Sequence, residues 1–275
     1  MSTSGPPSRK RSDRMIALLS LLAEHGHLPL SVLADELGTS AATIRRDVAL
    51  LAAQGLIERT HGGARPARGG EELPFHLRGG HHQEAKRRIA EEVATMIPPG
   101  RHAISLSGGT TTAEVLRALQ DRDDLTIITN SISIGLEAAD LGQSRVLIVG
   151  GVLRTSSLEL VGSLAESTMR LVNVGTAIVG VDGLSVEGGL TTHDHTEART
   201  NYLMIERAQR VIVVTDSSKL GNKTLAKMAD CSEIQALVTD DRADPAELEA
   251  IRAIGVDVRV VELHHEDTPP DRPPS

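Results

Sequence analysis

The chain has 275 residues and a formal net charge of −8, and its aromatic side chains are limited to Phe75 and Tyr202. Proteins that bind single-stranded nucleic acid stack the bases on aromatic rings, so this composition argues against that class. Cys231 is the only cysteine. Neither an intrachain disulfide nor a cysteine cluster for a metal can form, and we expect a cytoplasmic protein.

The charge is distributed unevenly along the chain. Residues 1–70 carry 9 Lys+Arg and 6 Asp+Glu, whereas the remaining residues carry 20 and 31. The basic excess lies in the N-terminal part, so the overall acidity does not exclude a DNA partner. The basic residues 9–11 before the apolar residues 15–23 imitate a signal peptide, but we interpret this segment as the first helix of a three-helix domain. No apolar run approaches the roughly 20 residues that a membrane span requires, so no membrane partner is expected.

Residues 40–55, SAATIRRDVALLAAQG, predict a DNA-binding helix. Ser40 is a favourable N-cap, and Ile44, Val48 and Leu51 recur at helical spacing on one apolar stripe. The opposite face carries small side chains and two arginines, which suits insertion into the DNA major groove. The residues expected to contact DNA are Ser40, Ala42, Thr43, Arg45 and Arg46. If this helix stood alone in the sequence, the better interpretation would be a solvated amphipathic helix whose arginines contact only water.

The preceding residues favour the DNA-binding interpretation. Residues 31–37 predict a short helix that begins at an N-cap, Ser31. Its inward-facing residues are expected to be Val32, Leu33 and Leu37. Gly38 supplies the left-handed residue that ends this helix. A helix, a tight glycine turn and a second helix with exposed arginines form the helix-turn-helix arrangement.

The segment after the DNA-binding helix is typical of a wing. Residues 55–64, GLIERTHGGA, supply Leu56 and Ile57 for burial and paired glycines for a turn, as the β-hairpin of a winged helix requires. We expect the tip of this hairpin to contact DNA through His61, Gly62 and Gly63.

These N-terminal residues resemble the DeoR-type bacterial repressors. The residues that fall at the spacing of that family are Arg14, Leu18, Leu22, Ser40 and 43–48 (TIRRDV), and GLIERTHGGA matches its wing. The resemblance implies a winged helix-turn-helix repressor that recognises double-stranded operator DNA.

From residue 84 onwards, short apolar runs alternate with helical segments. This alternation predicts an α/β fold with a mostly parallel, Rossmann-like sheet that is covered on both faces. The predicted strands are 103–106, 125–129, 145–149, 176–181, 210–215, 236–239 and 256–261. The predicted helices are 84–97, 113–119, 132–140, 197–208 and 245–254.

These patterns divide the chain into five segments. They are a disordered tail (1–12), a winged helix-turn-helix domain (13–64), a linker (65–82), an effector-binding and oligomerisation domain (83–263) and a second disordered tail (264–275). Proline and glycine are expected to keep the linker out of regular structure.

Three strand ends of the predicted sheet carry polar residues, at the edge where parallel sheets bind ligands. The first is residues 107–112, SGGTTT, where glycines and a helix N-terminus let backbone amides approach a phosphate. The alternative to a phosphate site is a simple helix cap, which needs one Ser or Thr rather than the three threonines that follow the two glycines here. The second end carries Asp182, which suits sugar hydroxyls, and the third carries Lys219, which suits a phosphate or, in an enzyme, proton transfer.

The same stretches resemble the effector domain of the DeoR-type family. The resembling pieces are GGTTT, TNS (129–131), GG (150–151), LVG (160–162), GVDG (180–183), GLTT (189–192), EA (197–198) and DSSKLG (216–221). The resemblance implies a fold like ribose-5-phosphate isomerase and the CoA-transferases, and a phosphorylated sugar that releases the repressor from DNA. It also implies that residues 109–112 hold the phosphate, with Asp182 and Lys219 lining the sugar site.

The effector-binding residues that the resemblance implies are Ser107, Gly108, Gly109, Thr110, Thr111, Thr112, Asn130, Ser131, Asp182, Gly183, Glu197 and Lys219. One position departs from the family pattern. Many members carry an acidic residue where this chain has Ser107, so a carboxylate that would accept sugar hydroxyls is missing here.

The sequence therefore predicts a transcriptional regulator of carbohydrate genes, and a repressor is the leading hypothesis. The regulator is expected to form a dimer or tetramer and to need no cofactor. Three pairs of nearby histidines, at 81–82, 193 and 195, and 264–265, lack a third ligand and are interpreted as solvated, so no metal is expected. The alternative is a sugar-phosphate isomerase with an appended DNA-binding domain, which lacks a second carboxylate placed as a base. A nucleoid protein that binds by charge alone fits poorly with an excess of three basic residues over acidic ones in 1–70.

Overall fold

A computed structural model describes residues 9–53, 55–66, 75–78, 82–142 and 145–263. The chain divides into two compact units, Met1–Gln83 and Glu84–Ser275. The predicted C-terminal tail, most of the predicted N-terminal tail and part of the predicted linker lie outside the described residues.

The N-terminal unit combines helices with a small antiparallel sheet. Its helices are Arg9–His25 (α1), Leu30–Glu36 (α2), Ala41–Ala53 (α3) and Phe75–Arg78 (α4). Its strands, paired in the order β1-β3-β2, are Leu28–Pro29 (β1), Ile57–Thr60 (β2) and Gly63–Pro66 (β3). One apolar cluster joins α1, α2, α3 and the β2–β3 hairpin. The predicted helix-turn-helix and wing are confirmed.

Helix α2 starts differently from the prediction. Its N-cap is Pro29, with no side-chain hydrogen bond, so Ser31 is not the cap. Pro29 belongs to β1, and the amide of Leu30 donates to the carbonyl of Gly62 at 2.9 Å, which ties the helix start to the wing. In this register Val32 is 38% exposed rather than turned inward.

Two segments that were expected to be irregular contain regular structure. Helix α1 begins at Arg9, inside the predicted tail, and Arg11 in its first turn reaches Asp47 of α3. Strand β3 continues into the predicted linker as far as Pro66. Pro66 pairs with Ile57 of β2, while β1 pairs with Gly63 and Ala64 of the same strand. Helix α4 also lies within the predicted linker.

All seven predicted strands form one parallel sheet in the C-terminal unit, and their ends differ from the predicted ones by at most two residues. The strands are His102–Leu106 (β4), Leu125–Thr129 (β5), Val146–Ile148 (β6), Val174–Gly180 (β9), Ala208–Val214 (β12), Ala236–Asp240 (β14) and Asp257–Val261 (β15). Their order across the sheet is β15-β14-β12-β9-β4-β5-β6. The predicted Rossmann-like α/β architecture is confirmed.

Apolar side chains cover both faces of this sheet. In β12, Val211 and Val213 belong to one core cluster and Ile212 and Val214 to the other, as the alternation of side chains along a strand requires. The helices on the Ile212 side are Gln83–Met96 (α5), Thr110–Ala118 (α6) and Ile132–Asp140 (α7). The helices on the Val211 side are Ser163–Met169 (α8), His195–Glu206 (α9) and Pro245–Ala253 (α10).

Two smaller antiparallel sheets are absent from the sequence-based expectation. One is the hairpin of Val152–Arg154 (β7) and Glu159–Val161 (β8), and the other joins Gly183–Ser185 (β10), Gly189–Thr192 (β11) and Ala226–Ala229 (β13). Each of these strands contains at most two consecutive apolar residues, so the continuous apolar runs that predict the strands of the parallel sheet are missing here. Both sheets contribute residues to the site described next.

Candidate functional site

Helix α3 presents a candidate DNA-binding surface. Ser40 caps the helix, because its hydroxyl oxygen accepts from the amide of Thr43 at 3.2 Å. The predicted apolar stripe is buried, with exposures of 0–1%. The exposed side chains on the other side are Ala42, Arg45 and Arg46. Neither of these two arginines has an ion pair in the part of the chain that the structure describes, so both guanidinium groups are available to DNA.

The wing places the predicted DNA-binding residues in two different environments. His61 and Gly62 are exposed at the tip, and Gly62 has a φ of 84°, a conformation that glycine adopts readily. Gly63 is buried against β1, where a Cβ atom would lie 2.8 Å from the His27 ring. Gly63 therefore serves close packing of the wing. Arg59 of β2 is also exposed, although it lies on the same side of the strand as the buried Ile57, so alternation along the strand does not predict its exposure.

A buried carboxylate supports helix α3 from within. Asp47 is 1% exposed, and it accepts from Nε of Arg14 at 2.7 Å and lies 3.4 Å from Nε of Arg11. Both arginines belong to α1, so this charge cluster joins α1 to the DNA-binding helix. A buried carboxylate needs such partners to offset its loss of hydration. The contacts span 33 and 36 residues, so local sequence patterns could not reveal them.

The C-terminal unit has a candidate ligand crevice where the strand order reverses. From β4 the chain proceeds to β5 and β6 on one side, whereas β9, β12, β14 and β15 are added on the other. In open parallel sheets, ligands bind outside the carboxyl ends of the strands at such a reversal. The residues that follow β4 and β9 include most of the predicted effector-binding set, so the fold brings these residues together.

Ser107 joins the two sides of this crevice. Its side chain is fully buried, and the hydroxyl accepts from the amide of Gly180 at 3.0 Å and donates to the carbonyl of Gly108 at 3.2 Å. A Cβ atom on Gly180 would lie 3.3 Å from the same carbonyl oxygen. Ser107 therefore links the end of β4 to the end of β9 and positions the loop between β4 and α6.

Helix α6 begins directly after this loop. Its N-cap is Gly109, with a φ of 121°, and no side chain caps its first amides among the described residues. The hydroxyl of Thr112 donates back to the carbonyl of Gly109 at 2.9 Å, while Thr110 is half-buried and Thr111 is 9% exposed. The alternative of a plain threonine cap is therefore wrong. The first-turn amides of an electropositive helix end remain for an anion.

Sequence reasoning missed Glu159, which lies against the same loop. Glu159 is 2% exposed, and its carboxylate accepts from the amide of Gly108. The side-chain nitrogen of Asn201 lies 3.4 Å and 3.5 Å from the two carboxylate oxygens. Asn201 in turn accepts from the amide group of the predicted Asn130 at 3.0 Å. A buried chain of amides thus ends on a carboxylate beside the loop, 51 residues from Gly108 in sequence.

A second polar group follows β9. The hydroxyl of Thr192 bonds to Asp182 at 3.0 Å and also to Glu197, which is 6% exposed. Arg154, from the β7–β8 hairpin, donates to Glu197 at 3.0 Å and lies 3.7 Å from Asp194, the N-cap of α9. Although burial opposes ionisation, the amide of Glu197 and the charge of Arg154 lower the pKa of Asp194. The structure therefore brings the predicted Asp182 and Glu197 together through Thr192.

Lys219 lies at the end of a short 3-10 turn, Ser217–Lys219, that follows β12 and is capped by Asp216. The amide of Gly221 donates to the carbonyl of Leu184 at 2.8 Å, which ties this segment to the one after β9. Lys219 is half-buried, and its ammonium group has no hydrogen bond or ion pair with the described residues. An unpaired cation near the crevice suits an anionic ligand.

Two predicted effector-binding residues have local structural roles. Ser131 is fully buried and caps α7, with its hydroxyl oxygen 3.4 Å from the amide of Ile134. Gly183 allows a close approach, since a Cβ atom there would lie 2.6 Å from the carbonyl oxygen of Asn222.

No group of three or more His, Cys, Asp and Glu side chains is placed to hold a metal ion among the residues that the structure describes. His193 and His195 flank the cap of α9, while three of the other paired histidines, at 81, 264 and 265, lie outside the described residues.

A shallow groove beside α9 is lined by His195, Arg199, Tyr202 and Lys227, together with three apolar residues. Within the described ranges, none of the helices has the length and apolar character to cross a membrane.

Two family models match the chain. The model described as "DeoR-like helix-turn-helix domain" matches residues 14–68, and the model described as "DeoR C terminal sensor domain" matches residues 81–241.

Several curated relatives are similar over most of their length. The HTH-type transcriptional regulator GlpR of Haloferax volcanii is 36% identical over 92% of this chain and 97% of its own. The putative aga operon transcriptional repressor of Escherichia coli O157:H7 is 32% identical over 95% of this chain and 99% of its own. The glycerol-3-phosphate regulon repressor of Escherichia coli K12 is 31% identical over 84% and 91%.

Solved structures are more distantly similar. Ribose 5-phosphate isomerase A of Methanocaldococcus jannaschii is 17% identical, with a TM-score of 0.38, over 50% of this chain and 54% of its own. The translation initiation factor eIF-2B of Pyrococcus horikoshii is 18% identical, with a TM-score of 0.42, over 82% and 78%.

We expect Asp47→Asn to lower the free energy of unfolding of the N-terminal unit by about 1–3 kcal/mol, because the arginines on α1 lose a charged acceptor. Native-state hydrogen exchange of the α1 and α3 amides measures this loss in the full chain. Asp35→Asn, which changes an exposed carboxylate on α2, is the matched control and should stay within about 0.5 kcal/mol of the wild type. Equal protection in Asp47→Asn and wild type would contradict the supporting role of Asp47.

Proposed function

We propose a function from one premise: this chain belongs to the DeoR family of transcriptional regulators. It represses genes of carbohydrate metabolism by binding an operator through α3 and the wing, and a phosphorylated sugar in the crevice releases it. The observation that carries the ligand assignment is the glycine-threonine loop, which opens a helix N-terminus at the reversal of strand order. The curated relatives include a glycerol-3-phosphate regulon repressor, which supports a small phosphorylated polyol or sugar.

The assignment of roles in the crevice follows from charge and hydrogen-bonding capacity. The phosphate binds the first amides of α6, near residues 109–112, and Lys219 contributes a positive charge. Asp182 and Glu197 accept hydrogen bonds from sugar hydroxyls, for which carboxylates are suited. Ser107 and Asn130 act indirectly, because both are fully buried. Ser107 holds the loop through its bonds to Gly108 and Gly180, and Asn130 bonds to Asn201.

The DNA-binding part uses residues 13–64, followed by a linker over 65–82 and an effector domain over 83–263. The effector domain holds a dimer or tetramer together in the cytoplasm, and two copies of the winged helix read repeated half-sites. The ligand releases the operator only if it binds the two arrangements of the oligomer with different affinities, a difference of about 1–3 kcal/mol in typical cases.

The crevice binds its ligand without turning it over. An isomerase needs a carboxylate that is free to accept and return a proton. Here Glu197 is engaged by Arg154 and Thr192, and Asp182 by Thr192. We therefore expect no interconversion of aldose and ketose phosphates by the purified chain.

We expect Arg46→Ala to weaken operator binding by about 1–3 kcal/mol and to relax the preference at one base pair, if the guanidinium group binds a guanine edge. Fluorescence anisotropy at fixed salt, with the wild-type operator and single-base variants, measures both effects. Arg101→Ala, in the C-terminal unit, is the control and should leave DNA binding unchanged. An equal loss on every DNA sequence would instead identify Arg46 as a phosphate contact.

The ligand assignment is tested on DNA from the region upstream of the chain's own gene, titrated with a panel of sugar phosphates and their unphosphorylated sugars at fixed salt. One phosphate is expected to weaken specific binding, whereas its unphosphorylated sugar does not. Lys219→Gln should reduce the response to that phosphate at least tenfold while DNA affinity stays unchanged. Lys223→Gln, which alters an exposed lysine nearby, is the control. Specific DNA binding that no sugar phosphate changes would overturn the ligand assignment and leave the regulator assignment intact.

A further inference from the structure

The base and the tip of the wing are held in different ways. At the base, Ile57 and Ala64 are buried in the apolar cluster of the N-terminal unit. At the tip, His61 and Gly62 are exposed, so burial of apolar side chains does not hold them. A hairpin of two strands that lacks such burial is only marginally stable in water. The tip therefore depends on hydrogen bonds for a fixed position.

The residues on either side of β1 supply hydrogen bonds to this tip. Directly after β1, the amide of Leu30 donates to the carbonyl of Gly62 at 2.9 Å. Directly before β1, Nε2 of His27 lies 2.7 Å from Oγ1 of Thr60, the last residue of β2. One of these two groups donates and the other accepts, so a side-chain hydrogen bond joins residues that are 33 positions apart in the sequence.

The ring of His27 reaches Thr60 across a glycine. The strand order is β1-β3-β2, so a side chain from the segment before β1 has to cross β3 to reach β2. It crosses at Gly63, which is the register partner of Thr60. A Cβ atom at position 63 would lie 2.8 Å from Nε2 of His27, closer than such atoms approach in proteins. The glycine therefore leaves the space through which the ring reaches Thr60.

The exposure of this hydrogen bond decides what it contributes. His27 is exposed and Thr60 is half-buried, so water competes for both groups and the bond adds little to the stability of the free protein. DNA bound against the wing would displace this water, and a hydrogen bond is electrostatically stronger in a medium of low dielectric constant. A tip that is already ordered also loses less conformational freedom when it binds. The bond therefore favours the complex with DNA more than it favours the fold.

We propose that His27 is a positioning residue for DNA recognition: through Thr60, it holds the tip of the wing in the orientation that contacts the operator. The contacts themselves are made by the exposed side chains on either side of Thr60, which are Arg59 and His61. This inference rests on the proposed function, since it concerns the contact between the wing and the operator.

The test begins with the two ends of the hydrogen bond. His27→Ala removes the ring, and Thr60→Val removes only the hydroxyl and keeps a branched side chain that suits a strand. We expect each variant to weaken specific DNA binding about three- to tenfold, the range that one hydrogen bond contributes. The double variant should bind no more weakly than the weaker single variant, because both changes remove the same bond. Fluorescence anisotropy of the full chain at fixed salt, on DNA from the region upstream of its own gene, measures these affinities.

A second comparison separates positioning from folding. The wing-deficient variant Arg59→Ala/His61→Ala lacks the side chains that contact DNA under this proposal. In that background, His27→Ala should weaken binding by less than about twofold, because no wing contact is left to position. A loss of folding stability would instead weaken binding equally in both backgrounds. His25→Ala, which removes another exposed histidine at the end of α1, is the matched control and should leave the affinity of the wild type unchanged.

The outcomes separate this inference from the proposed function. Unchanged binding by His27→Ala, or an equal loss in both backgrounds, would overturn the positioning role and leave the DNA-binding assignment standing. A loss in His27→Ala that Thr60→Val does not reproduce would also overturn it, because the ring would then act without the hydroxyl. If the wild type does not bind this DNA specifically, or the wing-deficient variant binds it as tightly as the wild type, the proposed function fails in that respect and this inference fails with it.

Discussion

The hydrogen bond from the amide of Gly180 to the hydroxyl of Ser107 is the contact on which the crevice depends. It joins the carboxyl ends of β4 and β9, the two neighbouring strands between which the order of the sheet reverses. Both residues are small, and the approach of Gly180 to the loop leaves little room for a side chain. A serine in this position satisfies a buried amide with a neutral hydroxyl, so the loop is held without a further charge at its base.

Charge is placed differently in the two units. In the N-terminal unit, Asp47 is buried and bonded to arginines of α1, while Arg45 and Arg46 stay exposed on the same helix. The buried charge supports the helix, and under the proposed function the exposed charges contact phosphates and base edges. In the C-terminal unit, the buried carboxylates of Glu159 and Glu197 accept from Gly108 and Thr192, in the segments that follow β4 and β9.

The sequence predicts those features that depend on local pattern. The seven strands of the sheet are continuous apolar runs because both faces are buried, and their positions were predicted to within two residues. The helix-turn-helix follows from the cap at Ser40 and the apolar stripe of α3. The cap at Ser31 was predicted wrongly because a long-range bond, from Leu30 to the wing, sets the start of α2. Glu159 was missed because its partner, the amide of Gly108, lies 51 residues away in the sequence.

Hydrogen–deuterium exchange of residues 107–112, with and without the sugar phosphate that releases the chain from its operator, tests the central claim most directly. The account predicts that the first amides of α6 become protected when this ligand binds, because ligand oxygens accept from them. The corresponding unphosphorylated sugar should leave the same amides unchanged. Protection that appears only elsewhere, for example in the groove beside Tyr202 and Lys227, while DNA is released, would contradict the assignment of the crevice as the ligand site.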